Sequence, residues 1–380
     1  MAHIPMPGKP GDHVYEVRHE KLLRHYMSGF ANCARVARAR PMTWYTNARG
    51  VNFGIPSGTT FCDEWSRWEF MDMDRDFDCM SKRDYDLDPN AAFRDYAAWW
   101  YRKATLARAC DSYYWDDIYL QSNFDLVGTE AYRLPDGRIQ PATGVNNMRG
   151  LVKRCATVQT ECGGNPTNNW IHMTDTAIAP ISAFAGVHFD MEDSPTNGDA
   201  FQKKYPMDYL EAVSIGRQMG CRVKVIAHYP KTTAEKDAWY ERTGAGMCLC
   251  YEFGWKWNAN VYNAVHGKMC EWGYRTPAVR VWNYWNRDEA YPLALKGPAA
   301  ASIAMAKAGT GEALFAVNDF SGKGGEVRVR PDAKSLGLKP GWRAFDFEQL
   351  GEAEVPSDGG EVTVQVKPYD FRVVLLKGGK

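Results

Sequence analysis

The chain changes rhythm near residue 275, and that change limits its folds more than any single motif. Before it, short apolar runs alternate with longer amphipathic ones. After it, only short strand-like runs remain, separated by Gly, Pro, Asp and Ser. The first pattern is that of β/α units, because a parallel neighbour strand is reached only by a long crossover, which a helix usually supplies. The second is that of antiparallel strands joined by turns.

Val14, Val17, Leu22, Leu23, Tyr26 and Phe30 recur at helical spacing and predict a helix over 14–39. A strand is predicted at 42–47, followed by a long connection to residue 88, where Asp88-Pro89 is expected to cap and open a helix reaching Ala109. Further strands are predicted at 112–119, 170–175, 186–193, 222–230 and 246–253. Helices are predicted at 145–162, 207–219, 233–243 and 259–272, with a helical turn at 178–184. Beyond 275, strands are expected at 279–285, 301–307, 313–319, 326–330, 342–347, 361–366 and 371–376, the pattern of a small sandwich.

The expected fold class is therefore α/β, a (β/α)8-type TIM barrel over residues 1–275 followed by a small C-terminal antiparallel β-sandwich over 276–380. The β/α repeats number six, whereas closure takes eight strands. Residues 1–13 carry no strand signal, so two strands are expected to be missing at the N-terminus. A shortened chain explains this, as would an open barrel or a gap covered by another element; the first is the expectation. An unclosed edge would also offer an oligomer contact.

Lys+Arg and Asp+Glu balance at 46 each, which argues against a nucleic-acid partner, since phosphate binding needs excess cations. No run approaches the roughly 20 apolar residues of a membrane span. Aromatic residues make up 13% of the chain; rings exposed at a cleft stack on the flat apolar faces of neutral ligands, sugars among them. The first ten residues lack the apolar core of a leader, which leaves the compartment open. Ten cysteines form no C-x-x-C pair, so buried free thiols are expected, with no metal and no other cofactor.

In a β/α barrel the reactive face is the C-terminal end of the strands. There the sequence places Trp115-Asp116-Asp117. Adjacent carboxylates repel, which tends to keep one protonated for general-acid work; the plainer alternative is one Asp capping a loop and the other in water. A second acidic cluster, Asp190, Glu192 and Asp193, ends a later strand. A carboxylate there facing Asp117 would serve ordinary glycoside hydrolysis, at about 5–5.5 Å for retention or about 6.5–9.5 Å for inversion. A rim ion pair is the competing reading. Asn47, His172, Asp175, His228 and Glu252 occupy other predicted strand ends, and Trp44, Trp115, Tyr229 and Trp255 are candidate sugar platforms, each with core packing as its alternative. The acidic run 72–78 lacks the sixth-position Gly and twelfth-position Glu of a calcium loop. Gly322-Lys323-Gly324-Gly325 joins two predicted strands and is read as a hairpin turn.

Tyr113-Tyr114-Trp115-Asp116-Asp117-Ile118-Tyr119, the stretch Ala131-Tyr132-Arg133-Leu134-Pro135-Asp136-Gly137-Arg138, His172-Met173-Thr174-Asp175 and Asp190-Met191-Glu192-Asp193 together resemble the barrel of glycoside hydrolase family 123-like proteins over residues 14–275. The resemblance implies an exo-acting glycosidase, secreted or periplasmic, taking a carbohydrate substrate. It also implies substrate-assisted retention on N-acetylhexosaminides, with the 2-acetamido oxygen as nucleophile, Asp117 as acid/base and Asp116 as orienting carboxylate. The family's pair is Asp-Glu; here it is Asp116-Asp117, one methylene shorter at the acid, as in the adjacent Asp-Asp pair of family 84 hexosaminidases. Two alternatives stand beside this reading. One is a two-carboxylate glycosidase pairing Asp117 with Glu192 or Asp193 on a sugar without an acetamido group. The other is a non-catalytic carbohydrate-binding protein.

Overall fold

The structure, a computed structural model, describes residues 43–48, 60–61, 64–65, 88–106, 112–116, 118–173, 176–192, 199–214, 220–226, 233–255, 259–286, 290–298, 300–349, 353–358 and 360–378; of Trp44, Tyr45 and Asn47 it describes the backbone. The expected helix at 14–39 and the acidic run 72–78 lie outside these residues. The chain divides into two compact units, Met1–Asp190 with Gly216–Arg222, and Met191–Ile215 with Val223–Lys380.

In the first unit, β1 (Thr43–Asn47) and α1 (Ala91–Leu106) precede β2 (Ser112–Asp116). The following connection carries a hairpin of β3 (Tyr132–Arg133) and β4 (Ile139–Gln140) and leads into α2 (Val145–Glu161). Then come β5 (Trp170–His172), the short α3 (Ala179–Ser182) and β6 (Val187–Asp190). The strands β1, β2, β5 and β6 lie parallel and side by side in chain order. Tyr113, Trp115 and Ile171 face the helices and pack with Phe93, Ala97 and Tyr101 of α1 and Met148 of α2. The opposite face carries Tyr114, Trp170 and Phe189, with Phe189 ring centroids 5.4 Å from Tyr114 and 4.6 Å from Trp170.

Two local details differ from expectation or explain it. Helix α1 starts at Ala91 with Asn90 as its cap, rather than at Pro89 with Asp88 as cap, because Asn90 Oδ1 accepts the Phe93 amide at 3.1 Å and so satisfies an orphan donor of the first turn. Asp88 instead accepts from Asn147 Nδ2 at 2.6 Å. At Gly186 a Cβ would stand 1.7 Å from the Thr167 carbonyl oxygen, so only glycine allows this close approach. Its own carbonyl accepts the Arg222 amide at 2.9 Å.

In the second unit, α4 (Phe201–Lys204) and α5 (Met207–Val213) lead to β7 (Arg222–Val225). Helix α6 (Ala234–Tyr251) separates it from β8 (Gly254–Trp255), and the two strands pair in parallel, Lys224↔Gly254 and Val225↔Trp255. Helix α7 (Asn260–Trp272) follows. The strand expected at 246–253 is therefore the second half of α6. Residues Thr243–Tyr251 are all buried, and a continuous apolar run has no polar face to reveal its period.

Ten strands follow in two antiparallel sheets: β9 (Val279–Trp282), β10 (Leu293–Lys296), β11 (Ala300–Lys307), β12 (Glu312–Asp319), β13 (Gly325–Pro331), β14 (Arg343–Asp346), β15 (Glu354–Val355), β16 (Ser357–Asp358), β17 (Glu361–Val366) and β18 (Phe371–Lys377). The orders are β15-β14-β18-β12-β11-β9 and β10-β13-β17-β16. The expected strands are all present, with β10, β15 and β16 in addition; β15 and β16, at two residues each, are too short to show alternation. Phe315, Val317, Val374 and Leu376 meet Val327, Val329, Val362 and Val364 of the smaller sheet. Their alternates Leu314, Ala316, Val373 and Leu375 join a second core with Met247, Cys248 and Tyr251 of α6. Because the large sheet is buried on both faces, its packing ties it to α6, and the compact unit extends well to the N-terminal side of residue 276.

The Gly322–Gly325 segment is not a hairpin. It joins β12 to β13, which belong to different sheets, and its amides are turned onto a carboxylate of the same unit. Asp319, 1% exposed, accepts from the amides of Ser321 (2.9 Å), Gly322 (3.0 Å), Gly324 (3.2 Å) and Tyr369 (3.0 Å). The anion-cradling geometry of a glycine-rich loop is thus used internally. Among the described cysteines, Cys155, Cys221, Cys248 and Cys250 are buried free thiols. Burial pushes the Cys221 thiol up to about 12 and raises those of Cys155 and Cys248 as well.

Candidate functional site

Strand β2 ends at Asp116 and β5 at His172. Successive side chains of a strand point to opposite faces, so Asp116 shares the face of Tyr114 and lies opposite Trp115. The register Trp115↔Ile171 brings Asp116 beside His172 at the C-terminal ends of adjacent parallel strands. His172 Nδ1 lies 2.6 Å from Asp116 Oδ1, with side-chain exposures of 10% and 19%. Tyr114 OH donates toward the same oxygen at 3.4 Å. The strand ends are laced by backbone bonds, Ala48 N to Asp116 O (3.0 Å), Ile118 N to His172 O (3.1 Å) and Met173 N to Phe189 O (3.1 Å).

Behind the pair runs a buried polar chain. Thr46 Oγ1 donates to the Tyr114 carbonyl at 3.0 Å, so the Tyr101 hydroxyl, 3.0 Å from Thr46 Oγ1, donates to it and accepts the Trp115 indole N–H. Helix α1 thereby fixes the last residues of both β1 and β2. The short bond to a buried imidazole sets the orientation of the Asp116 carboxyl group, which is suited to holding an N–H or a developing positive charge.

On β6, His188 donates from Nε2 to the Met173 carbonyl at 3.1 Å. Burial pushes its pKa down to about 4 against the help of that carbonyl, so the ring is neutral near pH 7. Asp190, which ends β6, is fully buried.

The structure brings together Asp116 and His172 of the expected site residues. Asn47 is the register partner of Asp116, and Trp44 that of Tyr113. Three expectations are corrected. Trp115 is 1% exposed and packed against α1 and α2, so it fills the core instead of lining a cleft. Trp255 is 5% exposed, stacked over Gly244, with Phe201 at 5.8 Å. Glu252 ends helix α6, not a strand, in the left-handed conformation (φ 59°), and accepts from Tyr274 OH (2.8 Å) and Asn283 Nδ2 (2.5 Å). Glu192 is exposed and belongs to the second unit. Asp117, Asp175, Asp193, His228 and Tyr229 lie outside the described residues. Tyr114 was not anticipated; its position two residues before Asp116 on the same strand is the signal that could have found it.

Among the described residues, no group of three His, Cys, Asp or Glu side chains is placed to hold a metal ion. None of the described helices is long and apolar enough to cross a membrane.

No family model matches the chain, and no curated protein matches it. Solved structures do resemble it. A GH27 β-L-arabinopyranosidase from Geobacillus stearothermophilus, at 10% identity and TM-score 0.53, covers 93% of this chain and 78% of its own. An α-amylase from Geobacillus thermoleovorans, at 10% identity and TM-score 0.54, covers 94% and 81%. A maltogenic α-amylase from Thermotoga neapolitana, at 8% identity and TM-score 0.53, covers 92% and 80%. At such identities the likeness shows fold: a β/α region of the TIM-barrel type with a C-terminal β-sandwich.

Proposed function

We propose that the chain is a glycoside hydrolase working at the strand ends that carry Asp116 and Asp117. The observation that carries this reading is the Asp116–His172 pair, 2.6 Å apart at the C-terminal ends of β2 and β5. That is where a barrel-type fold assembles its reactive groups. The fold it shares with the arabinopyranosidase and the amylases supports the reading by analogy.

The mechanism proposed is substrate-assisted retention on an N-acetylhexosaminide at the non-reducing end, as the resemblance to family 123 implies. The acetamido oxygen attacks the anomeric carbon and the exocyclic C–O bond breaks. The carboxylic proton of Asp117 passes to the leaving oxygen. Asp116, held by His172, accepts the acetamido N–H and offsets the positive charge that grows on the ring formed. Asp117 then takes a proton from water as that water attacks the anomeric carbon and reopens the ring. Substrate-assisted enzymes need no second nucleophilic carboxylate.

The test is a panel of aryl 2-acetamido-2-deoxyhexosides and plain aryl hexosides, assayed with the wild type, Asp117→Asn and Asp116→Asn. Hydrolysis confined to acetamido sugars and lost in both variants is the expected result. Full activity of Asp117→Asn would remove the assignment; equal turnover of plain hexosides would remove the acetamido mechanism.

A further inference from the structure

Six large apolar side chains are exposed among the described residues. Three of them, Leu126 (41%), Val127 (78%) and Tyr132 (57%), stand on one connection, that between β2 and α2. Their exposure is held by construction. Asn123 and Ala142 exchange two backbone hydrogen bonds at 3.0 and 2.9 Å across the base of the connection. Asn123 Oδ1 accepts the Asp125 amide and Asp125 Oδ1 the Val127 amide, each at 2.9 Å. Asn147 Nδ2 of α2 donates to the Gly128 carbonyl at 3.1 Å. Tyr132 itself pairs with Gln140 in the hairpin, which Leu134 N closes onto Arg138 O at 2.8 Å.

A chain segment tied this firmly keeps its ring in water at a standing cost in exposed apolar area. The residues near Tyr132 in the chain differ in character: Ala131 is buried, while Glu130 and Arg133 are exposed. An exposed aromatic face on a segment that also exposes charged residues matches a sugar, which offers a C–H face to stack and hydroxyls to hydrogen-bond. A protein partner would call for a broader apolar area. The connection also starts directly after Asp116-Asp117, and in barrel-type folds the segments following the strands build the ligand-binding face.

We propose that Tyr132 is a specificity-determining residue that stacks on the sugar occupying the leaving-group side of the scissile bond, so that the protein favours oligosaccharides over simple glycosides. This rests on the glycosidase reading. The experiment compares wild type and Tyr132→Ala on a methyl glycoside and on the matching disaccharide, with oligosaccharide binding followed separately by intrinsic fluorescence. The ratio of kcat/KM for disaccharide over methyl glycoside is expected to fall about three- to tenfold, the range of one stacking contact. An unchanged ratio in an active enzyme overturns the inference and leaves the glycosidase reading standing. If the wild type cleaves neither compound but binds the disaccharide, and Tyr132→Ala weakens that binding, the sugar contact stands while the hydrolytic reading falls. If the wild type cleaves neither compound and its disaccharide binding does not depend on Tyr132, both fall.

Discussion

His172 Nδ1 approaches Asp116 Oδ1 to 2.6 Å across two neighbouring parallel strands. The bond locks one carboxylate oxygen and fixes the plane in which the other is presented. Removing the imidazole takes away this 2.6 Å bond and loosens the alignment of Asp116, and misplacement of a reacting group by about 1 Å can cost about 100-fold in rate. If the proposed glycosidase activity holds, His172→Ala should therefore lower kcat about 100-fold with a smaller change in KM on the glycoside that is cleaved best. His172→Asn can place an amide N–H near the Nδ1 position, and it should recover part of the loss. Steady-state kinetics of the two variants check this; a His172→Ala enzyme with wild-type kcat would show that the pair does not position the carboxylate.

His188 makes a prediction about stability that does not depend on any catalytic reading. Its native pKa is about 4, against an ordinary 6.5, with burial as the first cause. Above the ordinary value both native and unfolded chains hold the ring neutral, and it exerts no pH-dependent effect. As pH falls, the unfolded chain takes up a proton first, so stability is lost from about 6.5 down to about 4, by roughly 3 kcal/mol in total. His188→Gln should flatten this part of the curve relative to wild type. Urea unfolding at a series of pH values measures it, and parallel curves for the two proteins would refute it.

The fold was legible where polar and apolar residues alternate with one wet face. In β17 the buried positions Val362, Val364 and Val366 have less buried neighbours between them, and the strand was anticipated to the residue. The site was legible in part. Asp116 announces itself by ending an aromatic strand, but that His172 is its partner depends on the pairing of β2 with β5, a long-range register that local sequence does not encode. Trp115 was misjudged for a related reason: whether a ring at a strand end faces ligand or core is a matter of parity, and Trp115 lies on the face that packs against Phe93 and Tyr101. Residues 246–251 were misjudged because burial on every side erases the helical period.

That buried helix supplies the last prediction. In α6 a Cβ on Gly246 would stand 2.1 Å from Asn318 Nδ2 and 2.9 Å from Phe371 Cβ, so the helix can lie this close to the sheet only because the side chain is absent. Asn318 is itself held, donating to Asp370 O at 3.2 Å and accepting from Gln202 Nε2 at 3.2 Å, and it cannot yield without breaking those bonds. Helix propensity alone favours Gly→Ala by about 1 kcal/mol, yet overpacking at such a contact costs about 1–3 kcal/mol or more. Gly246→Ala should therefore destabilise the protein. Gly267 in α7 is the control, since a Cβ there meets nothing within 4 Å, and Gly267→Ala should stabilise by about 0.5–1 kcal/mol. Denaturant unfolding of the two variants should give shifts of opposite sign. Two shifts of the same sign would mean that the approach of α6 to β12 and β18 is looser than the geometry states.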